Sequence, residues 1–142
     1  MSEPTEVQVL PSAQLLAGLT RLIGAGGPFN GAIVSLFKNA SLPTRGSVLA
    51  DFDVADFTGY ADSAGITWSA PYYDIDGTAL AIGTSEAFIS TGSAVTNTIY
   101  GYILATAARA ALLAAFAFAA PVSVTRTGDA VTVVPFLRYS GI

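Results

Sequence analysis

Between Thr98 and Ala120 the chain carries one charged side chain, Arg109, among Ala, Leu, Ile, Phe, Tyr and a few small residues. Whatever this stretch folds into constrains the rest. It is long enough to cross a bilayer, but an arginine at the middle of a span costs about 2.5–3.5 kcal/mol, which weakly hydrophobic alanines offset poorly. A single helix is a stronger rival, because Ala and Leu are the best helix formers and fill most of Ala107 to Ala115. The third choice is a β-hairpin. Ile99, Tyr100, Tyr102 and Ile103 are strand formers, and Leu112, Ala114, Phe116 and Phe118 alternate with small residues up to Pro121. The pattern favours a hairpin turning near Ala108 and Arg109, ahead of the helix and well ahead of the span.

The remaining sequence divides at about residue 30. Residues 1–30 read as an arm and helix: a polar, proline-containing segment, then Ser12 as a candidate N-cap and Leu15, Leu16, Leu19, Leu22 and Ile23 at helical spacing. Gly24, Gly26, Gly27 and Pro28 end that helix. From residue 31 to 142, turn residues recur about every ten positions and bound short runs rich in Val, Ile, Thr, Phe and Tyr. The expected strands are 32–38, 66–73, 78–82, 87–91, 95–106, 122–127 and 130–139. Turns are expected at Asp74–Gly77 and Gly92–Ser93, and a hairpin at Gly128–Asp129. Pro135 lacks an N–H, so its strand should be bulged there or lie at an edge. The fold class that follows is mainly β: an antiparallel sandwich, jelly-roll-like, with one N-terminal helix.

Composition enters through the surface. Hydrophobic residues are 52% of the chain and charged residues 11%, where an ordinary soluble domain has about 25% charged. Alanine softens the first figure, but the charge deficit stays, and a small domain needs more charge than this to keep its surface free of patches. A homo-oligomer, with surface covered by other subunits, is the expectation. The net charge of −4 and the lack of a basic run argue against a nucleic-acid partner. No membrane partner is expected. The opening MSEPTEVQVL carries Glu3 and Glu6 where a secretory leader carries Lys or Arg and an apolar run, so no export signal is expected there.

Catalytic equipment is thin. The chain has no His and no Cys, which removes the usual general base near neutral pH, the strongest nucleophile and thiolate metal sites. An enzyme is not expected. Asp51, Asp53 and Asp56 are close in sequence, but the first two flank Phe52 at strand spacing, the pattern of solvated carboxylates around a buried ring. Asp74 and Asp76 precede Gly77 as in a calcium loop, with Glu86 as a possible third ligand. Aligning Gly77 as the sixth loop position puts Gly83 where a hand-type loop needs Glu, so neither metal nor cofactor is expected. Trp68, Tyr72 and Tyr73 would suit either core packing or a stacking platform for a sugar or a partner protein. Leu15, Leu19 and Leu22 would cover the sheet of their own subunit or meet a neighbour. With Phe29, these make the candidate partner interface.

The runs VLADFDVADFTGYA (48–61), Trp68, IYGYIL (99–104), APV (120–122) and VTVVPFL (131–137) resemble small structural proteins of tailed bacteriophages, among them head decoration, or cement, proteins. The resemblance covers roughly Leu36 to Tyr139 and rests on aromatic and turn spacing. It implies a β-rich subunit, trimeric by preference, assembled in the host cytoplasm into the virion, where it clamps neighbouring copies of the major capsid protein. A carbohydrate- or receptor-binding module of a phage tail or spike is the alternative, and would use Trp68, Tyr72 and Tyr73.

Overall fold

A computed structural model describes residues 12–73 and 77–139. Among them the protein is mainly β, with one α-helix and three antiparallel sheets. The first sheet has the order β1 (Ile33–Phe37), β5 (Asn97–Ala105), β6 (Leu112–Val124). The second has the order β2 (Tyr72–Tyr73), β3 (Ala79–Ile82), β8 (Phe136–Tyr139), and the third pairs β4 (Glu86–Ile89) with β7 (Ala130–Val133).

The charge-poor stretch is the β5–β6 hairpin. Its turn is held by Thr106, whose carbonyl accepts from the Arg109 amide at 2.7 Å and whose Oγ1 accepts from the Ala110 and Ala111 amides. Arg109 sits at φ 53°, a left-handed conformation costing a non-glycine residue about 1–2 kcal/mol. An ion pair with Asp62 and a 3.1 Å hydrogen bond to the buried Ser35 Oγ oppose that cost. Local helix propensity over Ala107–Ala115 gives way because β5 offers a partner strand and Phe116 and Phe118 have a core to enter.

Helix α1 (Ser12–Ile23) ends where the sequence indicates. A Cβ on Gly27 would lie 2.1 Å from the Arg21 carbonyl oxygen and 2.4 Å from that of Leu22, so only glycine passes this close. The apolar face of α1 packs on β3 and β8: Leu19 and Ile23 are buried with Ala79 and Ala81, and Leu16, Leu22 and Leu137 close around them. Small alanines on β3 let the helix approach. The largest cluster joins Val34, Leu36, Tyr102 and Leu104 of the first sheet to Phe88, Val131 and Val133 of the third, with Phe57 and Ile66 between. On the other face of the first sheet, Phe37 and Ile103 pack under Phe52.

Four expectations change. The run 66–73 is not one strand. Trp68 makes an isolated bridge to Gly83, the Ser69 hydroxyl takes the Ile82 amide in place of a backbone acceptor, and Pro71 cannot donate, so only Tyr72–Tyr73 pairs regularly. The run 122–127 is not a separate strand. Its first residues extend β6, and Pro121 is absorbed where Phe118–Pro121 stand opposite Tyr100, between the pairs Ile99–Val122 and Gly101–Ala117. The run 130–139 breaks at Val134–Pro135, where the chain passes from the third sheet to the second. The turn at Gly128–Asp129 exists, closed by Asp129 Oδ2 accepting the Thr125 and Arg126 amides, but β7 leaves it to pair with β4 instead of β6.

Candidate interaction surface

The two faces of the β2–β3–β8 sheet differ. Register places Tyr72, Leu80 and Arg138 side by side, with Ile82 and Phe136 one pair further along, on the face away from α1. The helix side carries Ala79, Ala81 and Leu137. The far side keeps its larger apolar groups in solvent: Tyr72 is 42% exposed, Ile82 36% and Phe136 43%, with Val134 beside them at 51%. Leu80, Ile82, Val134, Phe136 and Arg138 line a shallow depression of about 340 Å³. Arg138 is the one charged side chain among the residues that line it.

An aromatic series ties this face to the core. The Phe136 ring is 6.4 Å from Phe116, which stacks on Tyr102 at 4.7 Å, and Tyr102 also meets Phe118 at 6.3 Å. Burial raises the Tyr102 phenol above its ordinary pKa, which suits a group packed for its ring. Phe136 is therefore held from behind while its outer surface stays open, a rigid apolar anchor.

The seven residues singled out by sequence are dispersed. Leu19 is completely buried against Ala79 and Ala81, and Leu22 is partly buried beside it. Leu15 belongs to α1, and its side chain lies outside the described residues. Phe29 and Trp68 pack on each other edge to face at 6.3 Å, and the indole N–H donates to the Phe29 carbonyl at 2.8 Å. Trp68 also borders a groove of about 630 Å³ with Thr20, Asn30, Thr67 and Ser69. Tyr72 joins the open face, whereas Tyr73 pairs with Ala79 on the helix side and stays 43% exposed. Sequence reasoning missed Ile82, Val134 and Phe136. The signal was the alternation in ALAI, where small residues mark one face and large residues the other.

Asp51, Asp53 and Asp56 are exposed, and Asp51 and Asp56 have separate partners. Asp51 accepts the Val48 amide at 2.8 Å. Asp56 pairs with Lys38 at 3.0 Å and accepts from Asn97 Nδ2 at 2.9 Å, and those contacts, Asn97 first, hold its pKa below the ordinary value. Asp53 is exposed. Asp74 and Asp76 lie outside the described residues, and Glu86 accepts from the Thr84 hydroxyl. Among the described residues no group of three or more His, Cys, Asp or Glu could hold a metal ion, and no helix is long and apolar enough to cross a membrane.

No protein-family model matches this chain, and neither a curated protein nor a solved structure matches it.

Proposed function

We propose that this chain is a non-enzymatic virion structural subunit, a decoration or cement protein that binds the assembled head of a tailed bacteriophage. In this reading its three sheets form a jelly-roll-like sandwich, it works as a homo-oligomer, and its partner is the major capsid protein. The observation that carries the reading is the open face of β2–β3–β8, where Tyr72, Ile82, Val134 and Phe136 are exposed while Ala79 and Ala81 on the opposite face are buried under α1. Contiguous exposed apolar surface marks a docking site. A cement protein binds the assembled lattice in preference to the loosened one. It therefore stabilises the lattice by mass action, at about 2.7 kcal/mol per site when free subunit exceeds the dissociation constant a hundredfold.

The test uses heads assembled without this chain. Adding the purified protein should make it co-sediment with them and raise the temperature at which they open, and Phe136→Asp with Ile82→Asp should abolish both effects. Heads that neither retain the protein nor gain heat resistance would sink the proposal. The groove beside Trp68, rimmed by Thr20, Asn30, Thr67 and Ser69, favours a second reading as a sugar-binding module of a tail or spike. Saturable quenching of Trp68 fluorescence by oligosaccharides would support that reading instead.

A further inference from the structure

The outer edge of β6 carries an inference of its own, separate from head binding. From Leu112 to Val124 the strand has no charged residue, and among the described residues its only strand partner is β5. A Cβ on Gly101 would lie 2.0 Å from the Phe116 carbonyl oxygen. The Phe116 backbone therefore faces β5, and in regular alternation Ala115 and Ala117 direct their amides and carbonyls outward. Ala117, Ala119, Ala120 and Pro121 are exposed. At its start the edge borders a groove of about 500 Å³. Four consecutive strand residues, Leu112 to Ala115, line one wall, and Pro43, Thr44, Arg45 and Ser47 line the other. Consecutive residues of a strand point to opposite faces, so a wall made of all four is the strand's edge and not one of its faces.

We propose that this edge pairs antiparallel with β6 of a second copy, about a twofold axis through Ala117. The strand is complementary to itself. With no charge along it, no register sets like charges opposite each other. Centring on Ala117 puts Phe116 across from Phe118 of the second copy and Phe118 across from its Phe116, two aromatic cross-strand pairs on the face that already holds Tyr102. It also brings the small residues Ala119, Ala120 and Pro121 of each copy toward the groove beside Pro43–Ser47 of the other. The bulge at Phe118–Pro121 breaks the regular ladder on either side of the axis, and Pro121 has no N–H to offer. A segment this short forms a weak, concentration-dependent contact, and because it is isologous it closes at two copies.

Sedimentation velocity on the full chain over a rising concentration series should show the mass doubling. Ala117→Lys sets two ammonium groups against each other at the axis and should hold the mass at the lower value with an unchanged circular dichroism spectrum. If that variant misfolds, cysteine cross-linking tests the same contact. The chain has no cysteine, so a single-cysteine variant can cross-link only to another molecule. Residues facing each other in a hydrogen-bonded antiparallel pair are about 5.5 Å apart between Cα atoms, within the reach of a disulfide. Ala117→Cys should therefore oxidise to a covalent dimer much faster than Ala87→Cys, an exposed strand position elsewhere.

Equal masses for the full chain and Ala117→Lys at every concentration, or equal cross-linking of the two cysteine variants, would overturn the proposal. So would a doubling that appears only when residues 1–11 are removed, since the chain's own N-terminal segment would then be the occupant. Head binding fails independently. Phe136→Asp with Ile82→Asp should lose the heads and keep the Ala117→Cys cross-link.

Discussion

The two edges of the β1–β5–β6 sheet are finished in opposite ways. Along β1 the outward backbone groups from the Ala32 carbonyl to the Lys38 amide have partners in residues 53–66. The Val34 amide donates to Ser63 Oγ, Leu36 to the Tyr60 hydroxyl and Lys38 to the Asp53 carbonyl. The carbonyls of Ala32, Val34 and Leu36 accept from Ile66, Ser63 and Ala55. A connecting segment with little regular structure of its own thus replaces a strand. Along β6 the described residues supply no such cover, and the strand is protected only by its bulges and Pro121. In the pairing proposed above, one edge of the sheet is finished within the subunit and the other is left for association.

The largest expected effect tests how firmly the two edges are joined. Gly101 pairs with Phe37 on one side and Ala117 on the other. A Cβ there would lie 2.0 Å from the Phe116 carbonyl oxygen and 2.6 Å from the Phe37 ring. Gly101→Ala should cost about 3 kcal/mol or more in urea unfolding. A cost below about 1 kcal/mol would mean that the β6 edge yields readily and is not a fixed template.

Next comes the clamp that holds the covering segment. Asn97, buried on β5, accepts the Asp56 and Phe57 amides at 2.8 Å each and donates to Asp56 Oδ1 and the Thr96 carbonyl. Asn97→Leu keeps the branched shape but strands two amides, and should cost about 2–4 kcal/mol. Amide exchange should then speed up at Leu36 and Lys38 before it does in the β5–β6 hairpin. Uniform acceleration would show that the covered edge is no separate unit.

A smaller effect belongs to Tyr60, whose hydroxyl accepts from Leu36 at 2.9 Å and donates to Asp62 at 2.7 Å. Burial is the main cause of its raised pKa, so the phenol stays protonated as this arrangement requires. Tyr60→Phe should cost about 1–2 kcal/mol, with faster exchange confined to the Leu36 amide. No local change at Leu36 would remove Tyr60 from the list of edge partners.

The β5–β6 hairpin was legible in the sequence and the cover of the β1 edge was not. Alternation from Leu112 to Phe118 and the strand formers from Ile99 to Ile103 are local properties, and they point to the hairpin the chain forms. Helix α1 was legible for the same reason. The pairing of β4 with β7 and the cover that residues 53–66 give β1 depend on contacts across long stretches of chain, such as Asn97 with Asp56. No periodicity encodes those. Phe136 and Ile82 were hidden differently. Period-two alternation locates two faces, but which face a helix covers is settled by where α1 lands. Leu19 landed on the alanine side and left the large residues open.

The smallest effect is electrostatic and falls on one carboxylate at each edge. Asp56 lies in the segment covering β1, and Asn97 and then Lys38 depress its pKa. Asp129 closes the turn after β6, and the Thr125 and Arg126 amides depress its pKa. A carboxylate whose folded pKa lies below its unfolded value of about 3.9 adds stability that is fully present above that value. That contribution is lost as pH falls through the folded pKa. Both edges should therefore weaken below about pH 4 and hold steady above about pH 5. Asp56→Asn keeps an acceptor for Asn97 but cannot titrate, so the advantage of the native chain over this variant should shrink as the solution is acidified. Unfolding midpoints across the acid range measure this directly. A gap that stays constant with pH would mean that Asp56 acts through its hydrogen bond alone, and that the covered edge owes nothing to its ion pair with Lys38.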